Sequence, residues 1–292
     1  MCGPLGTRLR SLFLMSHEPT ERTPHHDRQG WTRLVFGLLV APCTVVLAAW
    51  AFPKLRVGAL LADVIAFAGA AGVAILGLAV SATAEVALAG TLGIAAVAGA
   101  ALLTLTFWQP SPSFALAIVN GALVSLAWAL GTSLGRRVQH PAHLFPACVV
   151  AASADLVSLL SPEGPSHAIA NSERALSVLA VGFPVPGSAA VAPALGVGDL
   201  LFMALALGVA RAHGLPYART VGCCVLGVAL AGLAAACLGV AIPALLPIAG
   251  ALLVGLPMIR RLRREDRAAA KWSMVIAGSV ALASVARGLC MK

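Results

Sequence analysis

Two carboxylates in apolar surroundings, Asp155 and Asp199, have the residue type and spacing to do chemistry in this chain. Asp199 closes the run Gly196-Val197-Gly198-Asp199 and opens an apolar stretch that continues to about Ala212, whereas Asp155 lies near the tail of the preceding stretch, Leu144 to Leu160. An ionised acid within a membrane-length helix costs roughly 2.5 to 3.5 kcal/mol at the helix centre, so each needs a reason. The chain reverses direction between the two acids. Each lies about five residues from the end of its stretch, which at about 1.5 Å per residue puts both on the order of 7 Å inside one face of a bilayer. Carboxylates brought close cannot both ionise easily, and such a pair retains one proton. One member can then act as base towards a water and the other as acid towards a carbonyl, a hydrolysis that calls for no metal, cofactor or nucleophilic side chain.

Stretches that hold acids in this way must be helices in lipid. The chain has 292 residues, 60% hydrophobic and 11% charged, with a mean hydropathy of +0.94, the composition of a polytopic helical membrane protein. Of its 11 acidic residues, Glu18, Glu21 and Asp27 fall in a polar amino-terminal segment, Glu163 and Glu173 in one loop, and Glu265 and Asp266 in another. Only Asp63, Glu85, Asp155 and Asp199 remain in or beside apolar stretches. Asp63 reads as a solvated or Arg56-paired acid near the surface, Glu85 as interfacial, and His213 as a helix-end residue.

The expected fold is all-α, a transmembrane bundle of about nine spans near 33–52, 58–82, 86–107, 114–134, 144–160, 194–212, 219–241, 243–259 and 272–290. Residues 1–32 read as a disordered cytosolic tail, 33–292 as the membrane domain, and about 144–259 as its functional core. Ala and Gly dominate the spans, which suits close helix packing in lipid. The net charge of +9 would suggest nucleic acid in a soluble protein, but the basic residues cluster in short loops beside apolar spans and so excludes that reading. The tail to Arg33, the pairs Arg136-Arg137 and Arg211 with Arg219, and the run Arg260 to Lys271 share one side. Lys54, Arg56, Arg174, Arg287 and Lys292 share the other. That bias predicts a multi-pass protein of the cell membrane with its amino terminus in the cytosol, and a loop from Ser161 to Ala192 on the far side. The seven cysteines lack metal-ligand spacing and read as packing residues.

Gly196 and Gly198 carry no side chain ahead of the acid, so an extended backbone can lie against this turn. A strand-like surface would hold a locally unwound peptide open there. Ile242-Pro243-Ala244-Leu245-Leu246-Pro247 arrives on the same face, its two prolines opposing a regular helix start. The run Ala154-Asp155-Leu156-Val157-Ser158-Leu159-Leu160-Ser161-Pro162-Glu163-Gly164-Pro165 resembles the first catalytic motif of presenilin and signal peptide peptidase, the GxGD intramembrane aspartyl proteases. Gly196 to Asp199 resembles the second motif and Pro243-Ala244-Leu245 the third, in the family's order. The resemblance covers about 150–250. It implies a protease with catalytic Asp155 and Asp199, with Gly196, Val197, Gly198, Pro243, Ala244 and Leu245 shaping the substrate site. Its implied partners are transmembrane helices or signal peptides within the lipid bilayer.

The chain departs from the family where Ala154 stands in place of the usual Tyr, which implies either weaker activity or a wider substrate pocket. The acids fall in the fifth and sixth spans, with one extra span at the end. A second Pro-Ala-Leu, Pro193-Ala194-Leu195, reads as coincidence in an Ala-rich chain. Two other readings use the same acids: a proton-coupled transporter and a prepilin-type leader peptidase.

Overall fold

The computed structural model describes residues 24–290 apart from 56, 108–111, 162–163, 165–167, 170, 189, 239–243, 263 and 265–266. Its helices are α1 (Pro24–Ala51), α2 (Ala59–Ser81), α3 (Leu88–Phe107), α4 (Pro112–Arg137), α5 (Leu144–Leu160), the short α6 (Glu173–Leu179), α7 (Val197–Ala212), α8 (Tyr217–Leu238), α9 (Leu245–Gly255) and α10 (Arg267–Cys290). Two strands, β1 (Ala180–Pro184) and β2 (Val191–Gly196), stand between α6 and α7. Among the described residues, six helices are long and apolar enough to cross a membrane: α1 to α5 and α8. The protein is a membrane-embedded helical bundle.

Much of its interior is built from small residues, with Trp128, Leu78 and Leu123 among the larger side chains buried beside them. Ala41, Ala66, Ala70, Ala74, Ala127, Ala204 and Ala206 are fully buried, while Trp50, Phe107, Val254 and Leu282 are each more than 70% exposed. In lipid a large apolar side chain gains little from burial, so small residues go inside, where backbones can approach closely. The most extensive helix crossing joins α4 to α7. A Cβ on Gly131 would meet Leu201 O and Ala204 Cβ at 2.6 Å, and one on Gly208 would meet Thr132 Cα at 2.9 Å. Trp128 fills the neighbouring space, its indole Nε1 donating to Ser81 O at 2.8 Å.

Four details differ from the sequence-based expectation. The segment read as a tail over 1–32 ends earlier, because α1 starts at Pro24, a residue suited to a first helical turn, and extends polar residues beyond the apolar run. Residues 1–23 lie outside the described part. The loop expected over 161–192 contains α6, capped by Ser172 Oγ accepting from Ala175 N at 3.2 Å, and then a β-hairpin. The stretch expected over 194–212 becomes helical only at Val197. The one expected over 243–259 shortens to the 11 residues of α9, because Leu256, preceding Pro257, leaves helical backbone at φ −119° and ψ 73°.

The ends of the bundle are set by two ties. His213 Nε2 pairs with Val138 O at 2.7 Å, and the 3-10 turns Pro141–His143 and Pro257–Arg260 pack on one another. The carboxyl ends of α4, α7 and α9 therefore gather with the start of α5 at one end. The end of α5 and the starts of α7 and α9 gather at the other.

Gly131→Leu should force α4 and α7 apart, lowering stability by about 1 to 3 kcal/mol as an overpacked contact. Equilibrium unfolding in mixed micelles reads this out, and an unchanged midpoint would mean that the two helices do not meet at Gly131.

Candidate active site

Asp199 owes its position to a hairpin. β1 and β2 pair antiparallel, with Val181 opposite Leu195 and Gly182 opposite Pro193, so Ala194 is an extra residue bulged out of the ladder. β1 is buried along its whole length. Its Gly182 turns both backbone groups away from β2 towards α4, where the buried Asn120 receives them: Asn120 Nδ2 donates to Gly182 O at 2.7 Å, and Gly182 N donates to Asn120 Oδ1 at 3.1 Å. One side-chain amide thus acts as a third strand and closes that edge. Phe183 lies edge-on to Phe52 with ring centroids 5.7 Å apart, and the hairpin turn is tied down by Gly187 N donating to Phe52 O at 2.9 Å.

Among the described residues, no backbone hydrogen bond is made to the opposite edge, along β2. Because Gly182 faces Asn120, its partner Pro193 and, two pairs along, Val191 point their backbone groups away from β1. Both residues are exposed. Pro193 lacks an N–H, and its place in a pair that exchanges no ladder bonds makes that loss harmless. Pro193-Ala194-Leu195, expected to be coincidental, therefore has a structural role: an outward proline, the bulge, and Leu195, which is 1% exposed and anchors the strand in the core.

β2 runs directly into α7. Gly196 is its N-cap, and Asp199, three residues on, accepts from Gly196 N through Oδ2 at 3.1 Å. That bond fixes the direction of the carboxylate, as in half of a capping box. A Cβ on Gly198 would meet nothing within 4 Å, and one on Gly196 would sit 3.6 Å from Asp199 Oδ2, an ordinary contact. The φ of Gly196, −73°, suits any residue. The protein's own packing therefore demands neither glycine, and the bare backbone of Gly198 faces outward space. Val197 is half-buried against the core.

Asp155 reaches the same place from the other side. It is partly exposed near the end of α5, and the Asp155 and Asp199 carboxylates are close enough to feel each other's charge. α5 packs chiefly on α9 and α10 and makes a slighter contact with α7. Ala244 and Leu245, the N-cap and first residue of α9, stand at this end of the bundle beside α5 and α7, both partly buried; Pro243 lies outside the described residues. Ala154 is exposed and lines a cavity of about 700 Å³ between α5 and α10, with Ser158 beside it and Ile276 and Ala277 across it. Asp63 is exposed in the first turns of α2, and Glu85 is exposed between α2 and α3; neither belongs to this site.

Asn120 escaped the sequence reading, which sought only ionisable groups among the spans. A lone Asn inside an apolar helix was the available signal, since a polar group there must find a partner. No family model, no curated protein and no solved structure matches the chain.

Asn120→Ala should leave the Gly182 N–H and C=O without partners in an apolar setting, at a cost of about 2 kcal/mol, and should make the hairpin more readily cut by added protease. Unchanged proteolysis at 180–196 would separate Asn120 from the hairpin's stability. Ala154→Tyr should insert and unfold like the wild type, because the cavity beside it has room for the ring; a large loss of stability would show that cavity to be closed.

Proposed function

We propose that the chain is an intramembrane aspartyl protease of the GxGD type, hydrolysing peptide bonds in transmembrane helices or signal peptides. The observation that carries this reading is the open edge of β2 running into Asp199 with Asp155 in electrostatic reach. A peptide bond in a helix is shielded by its own hydrogen bonds, so a helical substrate must be drawn out before it can be cut. The outward backbone of Val191 and Pro193 offers an unwound segment a strand to pair with, and Gly198 leaves room for its main chain beside the acid. The order of motifs, from α5 through the hairpin and α7 to the Ala244-Leu245 start of α9, supports a presenilin-like arrangement. Nine crossings would follow if α7, α9 and α10 cross with the six longer helices, with the amino terminus in the cytosol as the basic residues suggest.

In this mechanism the ionised member of the pair takes a proton from water as the water oxygen bonds to the scissile carbonyl carbon. The protonated member gives its proton to the carbonyl oxygen, forming a neutral gem-diol. Collapse breaks the C–N bond, the amine leaves with a proton from the first aspartate, and the second recovers its own from the diol. The bond from Gly196 N keeps Asp199 aimed throughout, and α9 and α10 set the approach of Asp155. A transporter using the same acids would have no use for an open strand edge or for the bare backbone at Gly198.

Asp155→Asn and Asp199→Asn should each abolish cleavage of a transmembrane reporter in proteoliposomes while the protein stays inserted, since Asn at 199 can still accept from Gly196 N. The wild-type rate should be bell-shaped in pH, as one proton per pair requires. Retained cleavage in either variant removes that residue from the mechanism. Gly198→Leu should leave unfolding unchanged and slow cleavage at least tenfold; full activity would show that no substrate backbone passes there.

A further inference from the structure

At the end of the bundle opposite the aspartates, three parts of the chain bring charge together. The connection from α2 to α3 supplies Thr83 and Glu85, α4 ends with Arg136, and α7 ends with Arg211; these line a pocket of about 640 Å³. Each guanidinium is held by a separate device. Arg136 Nη2 donates to Ala84 O at 2.6 Å, and Arg211 lies 5.8 Å from the centre of the Tyr217 ring, whose hydroxyl is tied to Ala79 O. The two guanidiniums are near enough to repel one another, with Glu85 within electrostatic reach of Arg136. Glu85 offsets only one of these two charges at the edge of the bundle, and an anion bound between the guanidiniums would offset the other.

We propose that this pocket binds the phosphodiester of an anionic, hydroxyl-bearing phospholipid headgroup. Two guanidiniums and one carboxylate leave a single positive charge, which one phosphodiester monoanion neutralises. Guanidinium forks match phosphate oxygens, and Glu85 is placed to accept from a headgroup hydroxyl. A choline headgroup brings its own cation, so it leaves the excess charge in place and offers Glu85 no donor. The site lies where the connection between α2 and α3 meets the ends of α4 and α7, at the level expected of headgroups. This inference is independent of the proteolytic reading.

The test uses the full-length protein in phosphatidylcholine nanodiscs with and without phosphatidylglycerol, with native mass spectrometry counting retained lipid and thermal unfolding as a second readout. Wild type should retain one phosphatidylglycerol and unfold at a higher temperature with it. Arg211→Gln should weaken retention about tenfold, the loss expected for one charge-assisted contact, and Arg211→Lys should restore part of it. Arg264→Gln, in the separate basic run, should change nothing. Stabilisation by inorganic phosphate equal to that by the lipid would keep the phosphate chemistry and make the free ion the ligand. Equal retention by wild type and Arg211→Gln, or equal loss in Arg264→Gln, would overturn the assignment.

Discussion

An extended strand inside an apolar bundle can persist only if its backbone N–H and C=O groups find partners, because lipid supplies none. Asn120 meets that requirement for β1. By receiving both groups of Gly182 it fixes the buried edge of the hairpin to α4 and leaves β2 as the outward edge. The rest follows along the chain. A pinned β1 places β2, β2 delivers Gly196 and Asp199 to the head of α7, and the glycine crossing at Gly131 and Gly208 holds α7 against the same α4 that carries Asn120. One helix thus sets both the strand and the acid that follows it.

The two aspartates rest on differently built supports. Asp199 belongs to the part formed by α4, α7 and the hairpin, which also packs on α2. Asp155 belongs to α5, whose main neighbours are α9 and α10. α5 and α7 touch only slightly, so the two acids are positioned by different neighbours, with Asp199 held by its bond to Gly196 N. Ala154 and the cavity beside it lie on the Asp155 side, where the carboxyl-terminal helix packs on α5. On the proteolytic reading, the Asp199 half fixes the substrate strand and the Asp155 half adjusts to it.

Much of this was legible in the residues. Runs of about twenty apolar residues marked the long helices because lipid leaves the backbone almost no other option, and the two acids stood out because little else in those runs carries charge. The hairpin was not legible. Ala180 to Gly196 is mostly Ala, Val, Gly and Pro with neither strict alternation nor a helical stripe, and the Asn120 that receives Gly182 stands sixty-two positions away in sequence. The shortness of α9 relative to the expected 243–259 has a local cause, since Pro257 ends it through the conformation forced on Leu256. Pro193 was underrated because its value depends on which ladder position it occupies, and register is a tertiary property.

The central claim is that Asp155 and Asp199 share one proton inside the bundle. Infrared difference spectroscopy of the reconstituted protein, with aspartate carboxyls isotopically labelled, measures this directly. The account predicts one protonated aspartate of the pair per chain near neutral pH, with its band altered by Asn at either position. Two ionised carboxylates across the neutral range, or a protonated band at one position that is indifferent to replacement of the other, would contradict it.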